Sequence, residues 1–346
     1  MMDRQPMRFS IDIVIPVYNA ADDVRRCVES VLGHNHDDCR ITLIDDGSTD
    51  PRIAALFAEL ELRRLPELLL LRNDGNLGFT ATANRGIGNS SADIVVLNSD
   101  TRVTGDWLSA IRRCAASDAT IGTITPFSNN AEICSFPLLC VDNPVGGEDE
   151  VEMIAAAMAR AAVPTYPDLP TGVGFCLFIR RALIDEIGSF DAAFGAGYGE
   201  ENDLCLRAAR SGWRNVLADD AFVVHVGGRS FAGQKAELSP RNTTILLERH
   251  PHYTAMVEQY IKLDPLAPLR EAAQSERLRL TSGARGVLHV IHDHGGGTET
   301  HVRALIEASR DRWRHYLAIA VGDAWQVEEH RADGSIATFA FTRRWD

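Results

Sequence analysis

The sequence predicts an α/β protein: a doubly wound sheet with flanking helices over residues 1–262, a linker at 263–285 and a partial second α/β unit at 286–346. Short, nearly continuous apolar runs such as Ile11-Asp12-Ile13-Val14-Ile15-Pro16-Val17 suit strands buried on both faces of a parallel sheet. Amphipathic stretches alternate with these runs, as right-handed strand–helix–strand crossovers require. Polar loops end the runs, at the carboxyl edge where ligands bind in such sheets.

Taken in order, residues 11–17 read as strand and 21–32 as helix, then 41–44 as strand, 51–62 as helix, 68–71 as strand, 79–87 as helix and 94–97 as strand. The loops Pro16-Val17-Tyr18-Asn19, Asp45-Asp46-Gly47-Ser48, residues 73–78 and Asn98-Ser99-Asp100 each follow a strand and should converge on one edge. Residues 127–147, with Pro137, Pro144 and paired Gly146-Gly147, read as a long surface loop. Beyond it come a helix at 148–162, a strand at 173–179, a helix at 201–210 and strands near Asn215 and Phe222. A closing helix is expected at 239–261, with Ser239 as its cap and Pro240 in its first turn. Pro265, Pro268 and Thr281-Ser282-Gly283 mark the linker. After it, residues 286–291 read as strand, 294–297 as a Gly-rich turn, 298–308 as helix and 316–321 as strand, too short a stretch for a full nucleotide-binding domain.

Composition narrows the partners. A net charge of -13 without a Lys/Arg cluster argues against nucleic acid, whose binding rests on neutralised phosphates. One diphosphate is still compatible, because a metal held by carboxylates supplies positive charge locally. Seven cysteines, an odd number without a C-x-x-C pair, read as reduced thiols. Residues 1–10 lack the apolar core of a secretory signal, and no run approaches a membrane span. The expected location is cytoplasmic, with peripheral contact at the membrane's inner face left open.

Ile13-Val14-Ile15-Pro16-Val17-Tyr18-Asn19, Ile44-Asp45-Asp46-Gly47-Ser48-Thr49-Asp50, Asn76-Leu77-Gly78-Phe79 with Asn84-Arg85-Gly86, Leu97-Asn98-Ser99-Asp100, residues 199–207 and His225 occur in that order. Together they resemble the family 2 glycosyltransferases over about residues 10–260. The resemblance implies a glycosyltransferase A-type fold, a single Rossmann-like, nucleotide-binding mixed sheet. It also implies a nucleotide-sugar donor, a saccharide or glycolipid acceptor and Mn²⁺ or Mg²⁺.

On the residues alone, Asp45 or Asp46 can accept a hydrogen bond from a pyrimidine N–H, while Asp46-Gly47 can equally make a turn and Ser48 or Asp50 a helix cap. The resemblance implies uracil or thymine recognition there, with Pro16, Val17, Tyr18, Asn19, Asn76, Gly78, Asn84, Arg85, Asn98 and Ser99 also near the nucleotide. Asp100 resembles the last carboxylate of the family's Asp-any-Asp signature, a ligand of the divalent cation, and Asn98 stands where that signature has its first acid. His225, at the end of an apolar run, resembles the histidine that completes the metal site.

In Gly197-Tyr198-Gly199-Glu200-Glu201-Asn202-Asp203, acids in a first helical turn suit the helix dipole whatever else they do. The resemblance puts the catalytic base here, at Glu201 by alignment on Asp203-Leu204-Cys205-Leu206-Arg207, with Glu200 and Asp203 as alternatives. Thr171, Gly172 and Gly174 resemble the segment beneath the sugars, where glycine leaves room for a ring, and Trp213 and Tyr198 offer stacking faces. The segment 288–299, with His289, His292 and His294 and the run Gly295-Gly296-Gly297, is similar to the opening strand and turn of family 4 glycosyltransferases. The implied reaction is an inverting transfer from a UDP- or dTDP-sugar to a hydroxyl acceptor in cell-surface polysaccharide or glycoconjugate synthesis. Two rivals are a non-catalytic nucleotide-sugar or carbohydrate-binding module and an NAD oxidoreductase. The latter lacks G-x-G-x-x-G after its first strand.

Overall fold

The structure is a computed structural model. It describes residues 10–34, 38–161, 163–227, 232–281, 286–322, 324–331 and 333–342, with the backbone alone at 232–239, 281 and 342. Residues 1–9, Ala162 and the Ser282-Gly283 end of the expected linker lie outside them. The chain divides into two units, one of Met1–Val145 and Pro164–Leu263, the other of Gly146–Val163 and Asp264–Asp346.

The first unit opens with β1 (Ile11–Val17), α1 (Ala21–Gly33), β2 (Cys39–Asp45), α2 (Pro51–Arg63), β3 (Leu68–Arg72), α3 (Phe79–Gly88) and β4 (Asp93–Leu97), the expected alternation with longer ends. Asp50 accepts a hydrogen bond from the Arg52 N–H, and Pro51 starts α2, so the cap expected of this loop forms. β5 (Thr101–Val103), α4 (Trp107–Ser117) and β6 (Ile121–Phe127) follow. Helix α5 (Glu148–Ala161) belongs to the second unit, after which the first resumes with β7 (Cys176–Ile179), α6 (Arg181–Ile187), α7 (Glu200–Arg210), β8 (Arg214–His225), α8 (Ala232–Arg249) and α9 (Tyr253–Leu263).

The eight-stranded sheet has the order β3-β2-β1-β4-β7-β6-β8-β5. Its first four strands are parallel, while β7 runs antiparallel to both β4 and β6, and β5 antiparallel to β8. The sheet is therefore mixed. One face carries Val14, Ile44, Ile94, Val96 and Leu177 against Ala83, Ile87, Leu183 and Leu204 of the helices. Each such aliphatic side chain, fully buried, stabilises by about 1.5–3 kcal/mol.

Several expectations need correction, among them the place of the helix at 148–162, which the sequence puts inside the 1–262 domain and which belongs to the second unit. The strands expected near Asn215 and Phe222 are one strand, β8, whose register against β6 shifts between Pro126 and Phe127. Asp219 and Asp220 occupy this irregularity and interrupt the apolar pattern, which makes one strand read as two. The closing helix is also two helices, broken at His250-Pro251-His252. Pro251 has no N–H to donate and disfavours helical geometry in the residue before it. The first of the two helices begins before Ser239, so Ser239 is no cap and Pro240 lies inside α8.

The second unit joins α5 to α10 (Ala267–Thr281), β9 (Gly286–His292), α11 (Gly297–Ser309), β10 (Arg314–Val321), β11 (Ala324–His330) and β12 (Ile336–Thr342). Much of the stretch read as linker is thus helix α10. Its Gln274 bonds both to the carbonyl and to the N–H of Ala340, each at 2.6 Å, and Arg277 lies over the Phe339 ring. β9 and β10 are parallel, and β10, β11 and β12 antiparallel. Among the described residues no helix is long and apolar enough to cross a membrane.

Candidate active site

The loops after β1 and β2 hold each other. Asn19, with φ 57°, accepts hydrogen bonds from the N–H groups of Thr49 and Asp50 at 2.9 Å, and its own N–H donates to Ser48 Oγ at 2.9 Å. The Asp46 N–H donates to the carbonyl of Val17, next to Pro16 in β1. The neighbouring acids differ. Asp46 spends both oxygens on the 73–78 loop, accepting from Asn73 at 2.7 Å and from the backbones of Leu77 and Gly78 at 2.9 Å. The Asp45 carboxylate accepts only from the Ser48 N–H, at 2.9 Å, among the described residues. Asn76 turns the same loop by accepting from the Gly78 N–H at 3.0 Å. Gly78 has φ 85°, and a Cβ there would meet Ala196 Cα at 2.7 Å, so no other residue fits.

Asp100 and His225 meet because β5 pairs with the end of β8, Thr101 opposite His225, and the Val226 N–H donates to the Asp100 carbonyl. His225 Nε2 lies 3.5 Å from Asp100 Oδ1. Its Nδ1 is 2.7 Å from the Asn130 carbonyl, which can only accept, so Nδ1 carries the proton and Nε2 is the nitrogen able to offer a lone pair. Asn129 brackets the His225 backbone, donating to its carbonyl at 3.1 Å and accepting from its N–H at 2.9 Å. Phe175 stacks on the ring at 5.3 Å. Burial disfavours the charged imidazole, but the hydrogen bond and charge of Asp100 outweigh it and hold His225 above its ordinary range.

Among the described residues no group of three His, Cys, Asp or Glu is assembled for a metal. Asp100 and His225 still fit a hard divalent cation that takes its other ligands from phosphate oxygens and water. Asn98 and Ser99 lie beside them. The Asn98 backbone N–H bonds to the Phe175 carbonyl, its side-chain amide bonds to no described residue, and Ser99 is buried.

Glu200 and Glu201 open α7 after Gly197, Tyr198 and Gly199, all three at positive φ. Asn242 holds this loop from α8 by donating to the carbonyls of Phe194 and Gly197 at 2.7 and 2.6 Å. Burial pushes Glu201 up to about 7, although the Gly199 N–H and the Asn202 amide donate to its oxygens at 3.2 and 3.1 Å. Burial, reinforced by the charge of Glu201, raises Glu200 well above the carboxylate range, and its Oε2 has no hydrogen-bond partner among the described residues. The Tyr198 phenol is raised by burial and by the charges of Glu200 and Asp100, so residues from α7 and from the loop after β4 act on one side chain.

Asp203 is different. It is 1% exposed, lies 2.7 Å from Arg207 Nε, 2.9 Å from His250 Nε2 and 3.4 Å from Arg249, and His250 and Arg207 overcome its burial to lower its pKa. Its carboxylate is committed to the fold.

Of the sugar-side candidates, Gly174 faces Glu201, whose Cγ would be 3.4 Å from a Cβ placed there. Thr171 is buried. Gly172 serves packing, since a Cβ would meet Leu177 at 2.5 Å and Thr125 at 2.8 Å. Trp213 does not join the others. It follows the far end of the eleven-residue α7, roughly 16 Å from Glu200 at 1.5 Å per residue, and its indole donates to Glu186 at 2.9 Å. Asn84 and Arg85 also point to structure, Asn84 bonding to both backbone groups of Phe190 and Arg85 to Asn73 and the Arg72 carbonyl. The roles of Asn129, Asn130 and Asn242 are not legible in the sequence because their contacts are long-range, and only the irregular stretch around Asn129 and Asn130 gives a local sign.

A mixed sheet with a carboxylate–imidazole pair at its edge and two glutamates opening α7 is an A-type glycosyltransferase architecture. Residues 12–188 match the Glycosyl transferase family 2 model, and the chain belongs to that family. Pre-mycofactocin glycosyltransferase of Mycobacterium tuberculosis is 26% identical over 265 residues, 72% of this chain and 50% of its own length, so the chain spans half of that relative. N-acetylglucosaminyl-diphospho-decaprenol L-rhamnosyltransferase of the same organism is 23% identical over 274 residues, 69% of this chain and 85% of its own. Two solved structures share the fold. Mannosyltransferase PcManGT from Pyrobaculum calidifontis, in complex with GDP-Man and Mn²⁺, has a TM-score of 0.52 at 16% identity over 88% of this chain and 81% of its own. GalNAc-T7 with UDP, GalNAc and Mn²⁺ has 0.54 at 15% identity, over 78% and 54%.

Proposed function

We propose that the chain is the catalytic part of a metal-dependent, inverting glycosyltransferase that moves a sugar from a UDP- or dTDP-sugar to a hydroxyl of a saccharide or glycolipid. The observation that carries this is the 3.5 Å approach of His225 to Asp100, with the charges of Asp100 and of buried Glu200 both acting on the Tyr198 phenol between them in the sequence. Asp100 and His225 would hold Mn²⁺ or Mg²⁺, which when bound would supply positive charge to offset that of the leaving diphosphate. The uncommitted oxygen of Asp45 accepts the N–H of the pyrimidine, and Asn98 and Ser99 face the sugar–diphosphate link. Glu201 takes the acceptor proton as that oxygen attacks the anomeric carbon opposite the leaving group. A pKa near 7 suits it to the task. Glu200 stays protonated beside it, and Asp203 anchors the helix.

A role in polysaccharide or glycoconjugate synthesis at the inner face of a membrane draws on the rhamnosyltransferase relative, whose name gives a lipid-linked saccharide. The first unit is the transferase and the second an additional small α/β unit with one parallel strand pair, similar in sequence at β9 and its Gly-rich turn to family 4 enzymes, to which we give no part in the transfer. The test is a thermal-shift screen of UDP-, dTDP- and GDP-sugars with and without Mn²⁺, followed by assay of nucleotide release. Metal-dependent binding with turnover is expected. Binding without turnover under any acceptor supports a binding module instead.

A further inference from the structure

The partners of His225 belong to a loop, and that loop has an anchor of its own. Residues 128–143 follow β6, and none of those from 137 to 142 is buried. Leu138 and Val141 are exposed, so burial of apolar surface does not hold this tip in place. Asn143 holds it with hydrogen bonds. It is buried, and its amide nitrogen lies 2.9 Å from the carbonyls of Leu138 and Val141 and 3.1 Å from that of Asn129. Its side-chain oxygen accepts from the Leu138 N–H at 3.2 Å, and its own N–H donates to the Asn129 carbonyl at 3.0 Å. The peptide joining Asn129 to Asn130 is held from the other side too, since the Asn130 N–H donates to Ser128 Oγ at 3.4 Å. A planar peptide held at both its carbonyl and its N–H leaves only the two torsions of Asn130 to aim the next carbonyl. That carbonyl is the acceptor of His225 Nδ1, and the Asn129 side chain on the near side of the peptide grips the His225 backbone.

We propose that Asn143 is a positioning residue for the metal site: by closing the loop onto Asn129 it sets both partners of His225, so that the closed loop and the bound cation stabilise each other. This deepens the metal reading of Asp100 and His225 and rests on it. Linkage makes the effect reciprocal, so a loop that favours the ion is itself held closed by the ion. The experiment uses the full chain with UDP or dTDP and Mn²⁺. Asn143→Ala should weaken the apparent Mn²⁺ affinity about tenfold, while nucleotide binding without metal stays within about twofold of wild type. Asn143→Asp keeps the size and the acceptor but cannot donate to the three carbonyls, and it should lose as much. Leu138→Ala, in the same tip, should keep the wild-type affinity. In the wild type, Mn²⁺ added to the nucleotide complex should slow amide hydrogen exchange in residues 138–143 by about tenfold, read by mass spectrometry. A residue that served only the folding of the loop would not give that response. Unchanged Mn²⁺ affinity in both Asn143 variants, or loop exchange indifferent to Mn²⁺, overturns the proposal, and the exchange measurement decides alone should the variants not fold. A wild-type nucleotide complex that gains nothing from Mn²⁺ instead overturns the metal reading, and this assignment with it.

Discussion

His225 donates from Nδ1 to the backbone carbonyl of Asn130 at 2.7 Å, and this single bond decides which face of the imidazole looks at Asp100. The adjacent Asn129 side chain grips the His225 backbone at both its N–H and its carbonyl. Outer partners of this kind orient a ligand without touching the ion. Asn129→Ala should therefore weaken the apparent Mn²⁺ affinity by about 10- to 100-fold in a metal titration of nucleotide release. Unchanged metal affinity would show that the clamp serves folding alone.

The pH profile should follow Glu201. Burial raises its pKa to about 7, and the base acts only when ionised, so kcat/KM should fall on the acid side with a midpoint near 7. An acid limb near the ordinary glutamate value would point elsewhere. The linkage sign is opposite for stability. A carboxyl whose folded pKa lies above its unfolded one favours the folded state at low pH and loses that contribution as pH rises through 7. Glu201→Gln should accordingly abolish turnover, keep nucleotide binding and raise Tm by a few degrees at pH 8 but not at pH 4.5.

Asp203 separates anchoring from chemistry. Asp203→Ala leaves His250 and Arg207 without their carboxylate and should cost about 3 kcal/mol in urea unfolding. Donor hydrolysis measured well below the new midpoint should persist. Complete loss of turnover in a folded variant would move the base to Asp203.

Gly86 tests the seat of α3 on the sheet. A Cβ there would meet Val14 Cγ1 at 2.3 Å and Ile44 Cδ1 at 3.1 Å, so Gly86→Ala should destabilise by about 1–3 kcal/mol through overpacking. Denaturant unfolding reads this directly, and a neutral result would mean that the helix lifts without cost.

The first four strands were legible because their apolar runs and intervening amphipathic helices are local patterns. The placement of β7 between β4 and β6 was not, since the pairing of Leu97 with Cys176 joins distant segments. The same divide runs through the site. Asp100, His225 and Glu201 stand at ends of regular elements where motif and geometry coincide. Trp213 looked like a stacking face because residue type alone does not say that α7 carries it to the opposite end. Arg85 and Asn84 carry groups suited to a donor, yet backbone carbonyls compete for the same hydrogen bonds and win.

The metal pair is most directly tested by the thermal stability of wild-type and Asp100→Ala chains with UDP or dTDP, each with and without Mn²⁺. In the wild type, Mn²⁺ should add to the nucleotide's stabilisation, by up to about 2.7 kcal/mol at a hundredfold excess over Kd, and Asp100→Ala should lose that increment while keeping its metal-free stability. An Asp100→Ala chain that retains the full Mn²⁺ increment would contradict the account.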